Sequence, residues 1–261
     1  TLKETERWLK ETETGYGQVK PILTPRYTPT CTDACMEGLQ VLSEKYQVPV
    51  QSHLSEGLDE IEWVKQLKPG LSCYGEAYDM YDLLGSRQPA VMAHVVHPNE
   101  AEYELIKHRN VLVAHCPQSN TNAANGVAPI LQMVHDGIRV GLGTDMAGGY
   151  NLNLLRTMTD AIQASKLRWC FTERNGDPFA KKNFLTVANA FYLATKGGGS
   201  FFGKVGSFEP DYEFDAVVLD DAALADFVER PVQDRFQRIL WLHTADTVTA
   251  KFIQGTCVYQ A

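Results

Sequence analysis

The chain has 261 residues, of which 44% are hydrophobic and 21% charged, a composition typical of a globular protein with a sizeable core. Its net charge of −8 and lack of a basic patch disfavour binding to a nucleic-acid backbone. No apolar run approaches the ~18 residues of a membrane span, and no signal peptide is evident, so we expect no membrane partner. The six scattered cysteines lack a CxxC pair, which predicts reduced thiols in a cytoplasmic protein.

The first two hundred residues alternate between predicted helices and strands. A helix with Leu2, Trp8 and Leu9 inward is predicted at residues 1 to about 14. Five mostly apolar runs are predicted strands: 21–26, 48–53, 90–96, 111–117 and 139–145. Further helices are predicted between and after them: 30–47, about 58–68, 98–108, 127–137, 151–169 and 183–195. This order indicates an α/β fold with a parallel sheet covered on both faces.

A barrel and an open doubly wound sheet both fit this alternation. No GxGxxG sequence opens a helix, so a dinucleotide-binding fold has less support. The pattern changes after a glycine-rich stretch at 195–207, where a strand at 214–220, a helix at 234–243 and one or two strands within 249–260 are predicted. We therefore expect one domain at residues 1–204 and a second, smaller and β-rich one at 205–261.

Four polar residues fall at or near the carboxyl ends of predicted strands: His53, His94, His115 and Asp145. In a parallel barrel those ends converge on one mouth, where catalytic residues collect. Packing alone does not readily explain four polar residues in equivalent positions. The placement therefore predicts a catalytic site.

The residue types suggest a role for each position. His53 is the best candidate metal ligand, and Glu56, three residues later, is placed to shuttle a proton. His94 is a ligand or an orienting donor to a metal-bound water. Asp145 is either a metal ligand or the acceptor of a proton from that water, although ordinary turn chemistry also explains an aspartate near glycines. His115 is explained at least as well by structural support of the loop after it.

Four segments, in this order and spacing, resemble the metal-dependent amidohydrolase superfamily: HLSE, MAH, AHCPQSN and GLGTDMAGGYN. The segment TPRYTPTC, which precedes the strand ending in QSHLSE, resembles in particular the members that deaminate guanine. The resemblance covers most of the chain, including GSFEPDYEFDAVVLD, which is similar to the return into the β-sandwich of these enzymes. It implies a (β/α)8 TIM-type barrel, of which strands four to eight are present, and part of a small β-sandwich domain.

The resemblance also implies hydrolytic deamination of guanine to xanthine and ammonia, with Zn2+ as cofactor and Fe2+ as the alternative. His53 and Asp145 would bind the metal, and Asp145 would also help to deprotonate the attacking water. Glu56 would be the general acid/base. His94 would hydrogen-bond both the hydroxide and the substrate.

Arg26 would hold the purine, and Tyr27 would contribute its backbone or ring to the pocket. On the sequence alone Arg26 is also explained as a surface salt-bridge partner. The resemblance further implies that the protein is a homodimer and that it binds a small purine as its substrate. The family's first strand carries an HxH pair that supplies two more ligands, and no HxH occurs in this sequence. We therefore expect the first three strands and that pair to lie outside it, either because this sequence is part of a longer protein or because processing or a gap separates the two segments.

Two other hypotheses stay open. One is a related hydrolase that acts on another purine, a pterin or a triazine. The other is a catalytically silent scaffold that keeps the fold and binds partners.

Overall fold

One sheet of four strands positions most of the predicted site residues. In the computed structural model, which describes residues 1–12, 19–225, 227–244 and 247–261, its strands are β1 Val50–Leu54, β2 Ala90–His94, β3 Leu112–His115 and β4 Arg139–Leu142. They lie in the order β1-β2-β3-β4, and both β1–β2 and β2–β3 are parallel pairs. Four of the five predicted strands are therefore confirmed, as is the parallel pairing of β1 with β2 and of β2 with β3.

The first predicted strand is wrong, because that segment makes only a single isolated parallel bridge, from Leu23 to Val50. The Leu23 carbonyl accepts a hydrogen bond from the Gln51 N–H at 2.8 Å. Pro21 and Pro25 flank this bridge, and neither has an N–H to donate, so the ladder cannot extend in either direction. The segment nevertheless runs beside β1, on the side opposite β2.

Helices alternate with these strands, largely as predicted. Up to β4 they are α1 Leu2–Thr12, α2 Asp33–Tyr46, α3 Leu58–Leu67, α4 Glu76–Asp79, α5 Glu100–His108, α6 Pro117–Asn122 and α7 Ile130–His135. The Asn99 side chain caps α5 by accepting the Glu102 N–H at 2.9 Å, as expected for this residue type. Helices α4 and α6 are not predicted, because α4 is a single short turn and α6 (PQSNTN) has no apolar residues at helical spacing. In α1, Leu9 is buried as predicted, whereas Trp8 is exposed.

Beyond β4 the described residues form three α-helices and an antiparallel sheet. These elements are α8 Leu154–Arg168, α9 Val187–Tyr192, β5 Ala216–Leu219, α10 Val232–Leu242, β6 Val248–Ile253 and β7 Thr256–Gln260. The sheet has the order β5-β6-β7 with antiparallel pairs. Gln254 and Gly255 both have positive φ, at 48° and 77°, which matches the tight two-residue turns that join paired strands. The region around Gly255 therefore forms two strands.

The chain divides into two units. The first comprises Thr1–His115 with Asn120–Val140, and the second comprises Cys116–Ser119 with Gly141–Ala261. The boundary that we predict after residue 204 lies inside the second unit and stays a prediction. Within the described ranges, no helix is both long and apolar enough to cross a membrane.

A buried carboxylate ties the end of β1 to the loop before α4. Glu102 is 1% exposed, and its Oε2 accepts a hydrogen bond from the Ser55 hydroxyl at 2.6 Å. Its Oε1 accepts the Gly75 N–H at 2.9 Å. Burial raises the pKa of Glu102 to about 7, from an ordinary value of 4.5. Its ionisation is therefore coupled to folding near neutral pH.

Replacing Glu102 by Gln should remove part of the pH dependence of the free energy of unfolding. Because the folded-state pKa lies above the unfolded value, the folded chain binds more protons between pH 4.5 and about 7. The stability that this group contributes is therefore highest below pH 4.5 and falls, by at most about 3 kcal/mol, as the pH rises to about 7. Urea denaturation of both proteins across this range measures the difference.

Glu104→Gln is the matched control, because it makes the same change at an exposed position of the same helix. It should leave the pH dependence of the parent chain intact. Identical pH profiles for Glu102→Gln and Glu104→Gln would contradict the coupling.

Candidate active site

Four of the predicted site residues line one pocket of the first unit, with a volume of about 260 Å3. The lining residues are Arg26, Tyr27, His53, Glu56, Gly57, Asp59, Glu60 and Asn125. This volume lies just below the roughly 300–1,000 Å3 of drug-sized ligand sites, so the pocket suits a small ligand. The lining is mostly polar, as needed to bind a molecule with several hydrogen-bonding groups.

His53 and His94 present stacked imidazole rings at the carboxyl ends of β1 and β2. The ring centroids are 5.4 Å apart and the planes differ by 14°. His94 lies opposite Leu54 in the β1–β2 register, so regular alternation would place its side chain on the other face of the sheet from His53. The backbone of His94 is instead left-handed, with φ of 77°. This break in alternation brings the two rings together.

Glu56 is held by three contacts in the turn after β1. Its N–H donates to Glu60 Oε2 at 3.2 Å, and its Oε1 accepts a hydrogen bond from Asn125 Nδ2 at 2.9 Å. Its Oε2 lies 3.5 Å from Nε2 of His94. The side chain is 26% exposed, so the carboxylate is oriented by its neighbours and still reachable from the pocket. A carboxylate held in this way suits general acid/base chemistry.

Each histidine has one ring nitrogen committed to a neighbour. His53 Nδ1 is hydrogen-bonded to the Arg26 carbonyl, and His94 Nδ1 lies 2.8 Å from the side-chain oxygen of Asn120. Because both oxygens are acceptors, both Nδ1 atoms carry the ring proton when the rings are neutral. His53 Nε2 is then left as a lone-pair donor, which is the usual arrangement of a metal-binding histidine. His53 therefore fits the metal-ligand role predicted for it.

Arg26 and Tyr27 lie next to β1, at the mouth of the pocket. The Arg26 guanidinium stacks over the Tyr27 ring at 5.4 Å, and the Tyr27 ring meets Trp63 edge-on at 6.4 Å. The Arg26 carbonyl also accepts a hydrogen bond from the Ser52 hydroxyl at 3.1 Å. The backbone of this segment is thus fixed, while the Arg26 side chain stays exposed at the pocket.

His115 is buried at the end of β3 and is 2% exposed. Burial, with a smaller effect of His94, lowers the pKa of His115 to about 3, so the ring is neutral near pH 7. Its Nδ1 has no hydrogen-bond partner among the described residues. The tight loop expected after it is the short helix α6.

Asp145 belongs to the second unit, where it begins a loop that folds back on itself. It has φ of 44°, and its carbonyl accepts the Gly149 N–H at 2.5 Å. A Cβ added to Gly148 would lie 2.9 Å from Asp145 Oδ2, and one added to Gly149 would lie 2.1 Å from the Thr144 carbonyl oxygen. Gly149 is therefore required by its close approach to the Thr144 backbone, and Gly148 packs against the Asp145 carboxylate. A carboxylate is a ligand type that zinc and iron both accept.

Sequence reasoning missed four residues that hold this site: Glu60, Tyr74, Tyr78 and Asn125. Glu60 and Asn125 contact Glu56 directly, and the Tyr78 hydroxyl donates to the His53 carbonyl at 2.8 Å. The available signal was the four-residue spacing of the tyrosines, which places both rings on one face of a helical turn.

A profile described as the amidohydrolase family matches residues 2–240. A guanine deaminase of Dictyostelium discoideum is 36% identical over 248 residues, which cover 92% of this chain and 53% of that protein. The guanine deaminase of Mus musculus is 33% identical over 267 residues, covering 98% of this chain and 57% of that protein. The chain therefore spans little more than half the length of these relatives.

A crystal structure of a guanine deaminase from C. acetobutylicum, with guanine bound in its active site, has a similar fold. The TM-score is 0.91 at 41% sequence identity, over 99% of this chain and 60% of that one. Together with the parallel sheet, this likeness confirms the predicted α/β fold of the TIM-barrel type, present here in part.

Replacing Gly149 by Ala should destabilise the loop that carries Asp145. The new Cβ would meet the Thr144 carbonyl oxygen at 2.1 Å, so the backbone must shift, at a cost of about 1–3 kcal/mol. Gly198→Ala is the matched control, because its Cβ would have only ordinary contacts, the nearest being the Leu193 carbonyl oxygen at 3.5 Å. Urea denaturation measures both changes, and equal stability of the two variants would contradict the packing described here.

Proposed function

Because the chain belongs to the amidohydrolase family, we propose that it is part of an enzyme that deaminates guanine hydrolytically to xanthine and ammonia. The observation that carries the proposal is the pocket in which Arg26, His53 and Glu56 meet. The proposal gives Arg26 the role of holding the purine, His53 that of binding the metal and Glu56 that of transferring protons, and all three residues line this one small volume. The two relatives described above are guanine deaminases, which supports guanine as the substrate.

The amidohydrolase family is metal-dependent, and we propose zinc as the metal, with Fe2+ as the alternative. His53 would hold it through Nε2, with its Nδ1 fixed by the Arg26 carbonyl. Asp145 would supply a carboxylate ligand. A bound divalent metal would lower the pKa of its water, so that a proton is removed from this water more easily near neutral pH.

Glu56 moves the protons of the reaction. The water oxygen forms a bond to the ring carbon that bears the amino group, while one proton of that water passes to Glu56 and from Glu56 to the adjacent ring nitrogen. The second proton of the water passes through Asp145 and Glu56 to the amine, the carbon–nitrogen bond breaks, and ammonia departs as the carbonyl of xanthine forms. Asn125 and Glu60 keep the Glu56 carboxylate and backbone in place through these transfers.

His94 and Asp145 assist the attacking water. The Nδ1 atom of His94 is fixed by Asn120, so its Nε2 is held on the side of Glu56, where it can orient water and substrate. Asp145 accepts a proton from the water.

Arg26 orients the purine. Its planar guanidinium can donate two parallel hydrogen bonds to the polar edge of the base, which a lysine cannot do. The Tyr27 ring, stacked against Arg26, restricts where that guanidinium lies.

We propose in addition that the full-length enzyme is cytoplasmic and a homodimer. Light scattering of the purified protein tests the dimer.

Replacing Glu56 by Gln in the full-length protein should lower kcat for ammonia release from guanine by at least about 100-fold, because proton transfer is lost. A coupled ammonia assay measures it. Glu62→Gln, at an exposed position of α3, should leave kcat unchanged. Full activity of Glu56→Gln would contradict the role of Glu56 as general acid/base. A parent protein without activity on guanine would contradict the proposed function.

Replacing His53 by Ala should remove most of the metal that co-purifies with the protein, because a tightly bound catalytic metal needs about three protein ligands. Elemental analysis by mass spectrometry after dialysis measures the metal per chain and identifies it. His108→Ala, an exposed histidine at the end of α5, is the control and should keep the full content. Unchanged metal in His53→Ala would exclude His53 as a ligand.

A further inference from the structure

We propose that Tyr78 is a positioning residue for this pocket, whose hydroxyl fixes the Arg26–Tyr27 segment relative to His53. Tyr74 extends the same contact to Glu60. The inference rests on the proposed function, since it concerns how that enzyme would hold its purine.

The Tyr78 hydroxyl joins two segments of the chain. The residue is fully buried, and its hydroxyl donates to the His53 carbonyl at 2.8 Å. It accepts the Thr28 N–H at 3.2 Å and lies 2.8 Å from the Ser52 hydroxyl oxygen. Thr28 directly follows Arg26 and Tyr27, so one phenol oxygen links the purine-holding segment to the strand that carries the proposed metal ligand.

Tyr74 carries the connection onward. Its ring stacks on that of Tyr78, with centroids 5.6 Å apart and planes at 20°, and its hydroxyl oxygen shares the Thr28 N–H at 3.3 Å. The Tyr74 hydroxyl donates to Glu60 Oε1 at 2.7 Å, while Glu60 Oε2 accepts the Glu56 N–H at 3.2 Å. A continuous set of hydrogen bonds therefore reaches from Thr28 to the backbone of the proposed general acid/base.

Both phenols are suited to a fixed structural geometry and unsuited to proton transfer. Burial raises the pKa of Tyr78 to about 12 and raises that of Tyr74 further. Each therefore keeps its hydrogen near neutral pH and donates it permanently. The pair acts by placing other residues.

The Arg26–Tyr27 segment depends on these contacts because the sheet holds it weakly. Its link to β1 by backbone pairing is the single bridge at Leu23. From Arg26 onward, the hydrogen bonds that join this segment to other parts of the chain include those of Ser52 and His53 with the Arg26 carbonyl and those of the two tyrosines with Thr28. Loss of the Tyr78 hydroxyl leaves the Thr28 N–H with its longer contact to Tyr74. The guanidinium then samples more positions, which weakens purine binding more than it slows the chemical step.

Tyr78→Phe in the full-length protein tests this, because it deletes one oxygen and keeps the ring. We expect the KM for guanine to rise about tenfold, with kcat changed less than about threefold. Binding of hypoxanthine, a purine without the amino group to lose, should weaken by a similar factor in calorimetry. Tyr81→Phe is the matched control: its hydroxyl, on the same segment, accepts from Lys68 at 2.9 Å outside this set of contacts. It should change neither value.

Tyr74→Phe should raise KM by a smaller factor, about threefold, because Tyr78 still holds the Thr28 N–H. If Tyr78→Phe does not fold, the KM of Tyr74→Phe tests the positioning role instead. A fall in thermal stability with unchanged KM and unchanged hypoxanthine affinity would show a purely structural role and overturn the inference. A parent protein that does not release ammonia from guanine would instead overturn the proposed function, and the two failures are thereby distinguishable.

Discussion

The hydrogen bond between His53 Nδ1 and the Arg26 carbonyl is the contact on which the candidate site depends. It fixes the protonation of the imidazole, because an acceptor at Nδ1 requires the hydrogen there and leaves Nε2 with its lone pair. It also sets the distance between the strand that ends at His53 and the segment that carries the guanidinium. One hydrogen bond thus couples the proposed metal ligand to the proposed purine-holding residue. A change in the position of one residue therefore changes the position of the other.

Three residues at the strand ends that carry the site have a strained backbone. Ser55, His94 and Val95 all have positive φ, at 47°, 77° and 46°. Such conformations cost about 1–3 kcal/mol each for residues with a side chain, and Val95 is β-branched. They persist because the surrounding hydrogen bonds hold them: the Val95 N–H donates to the Leu54 carbonyl at 2.9 Å, and the Ser55 carbonyl accepts the Val96 N–H at 3.0 Å. The strained backbone brings the two histidine rings together.

Much of this arrangement follows from the sequence, and the part that does not has a physical reason. Apolar runs predict the strands β1 to β4, and histidines at their carboxyl ends predict where the site lies, because strand ends of a parallel sheet share one edge. The predicted strand around Leu23 does not form because prolines flank it. The length and hydrophobicity of the run do not take these prolines into account. The left-handed backbone at His94 depends on tertiary contacts that no local pattern encodes, and the spacing of the two tyrosines does not reveal that the Tyr78 hydroxyl reaches Thr28 and His53. Asn125 lies 69 residues from Glu56 in sequence, and only the folded chain brings the two side chains together.

The single bridge at Leu23 has a consequence for how such a pocket can change. Because the segment that carries Arg26 contributes almost nothing to the ladder of the sheet, substitutions within it leave the strand pairing of β1 and β2 intact. The sheet is held by main-chain hydrogen bonds. The Arg26–Tyr27 segment is held instead by side-chain hydroxyls and an imidazole. Ligand preference can therefore diverge among proteins that keep the same sheet, and the barrel tolerates that divergence without losing its core.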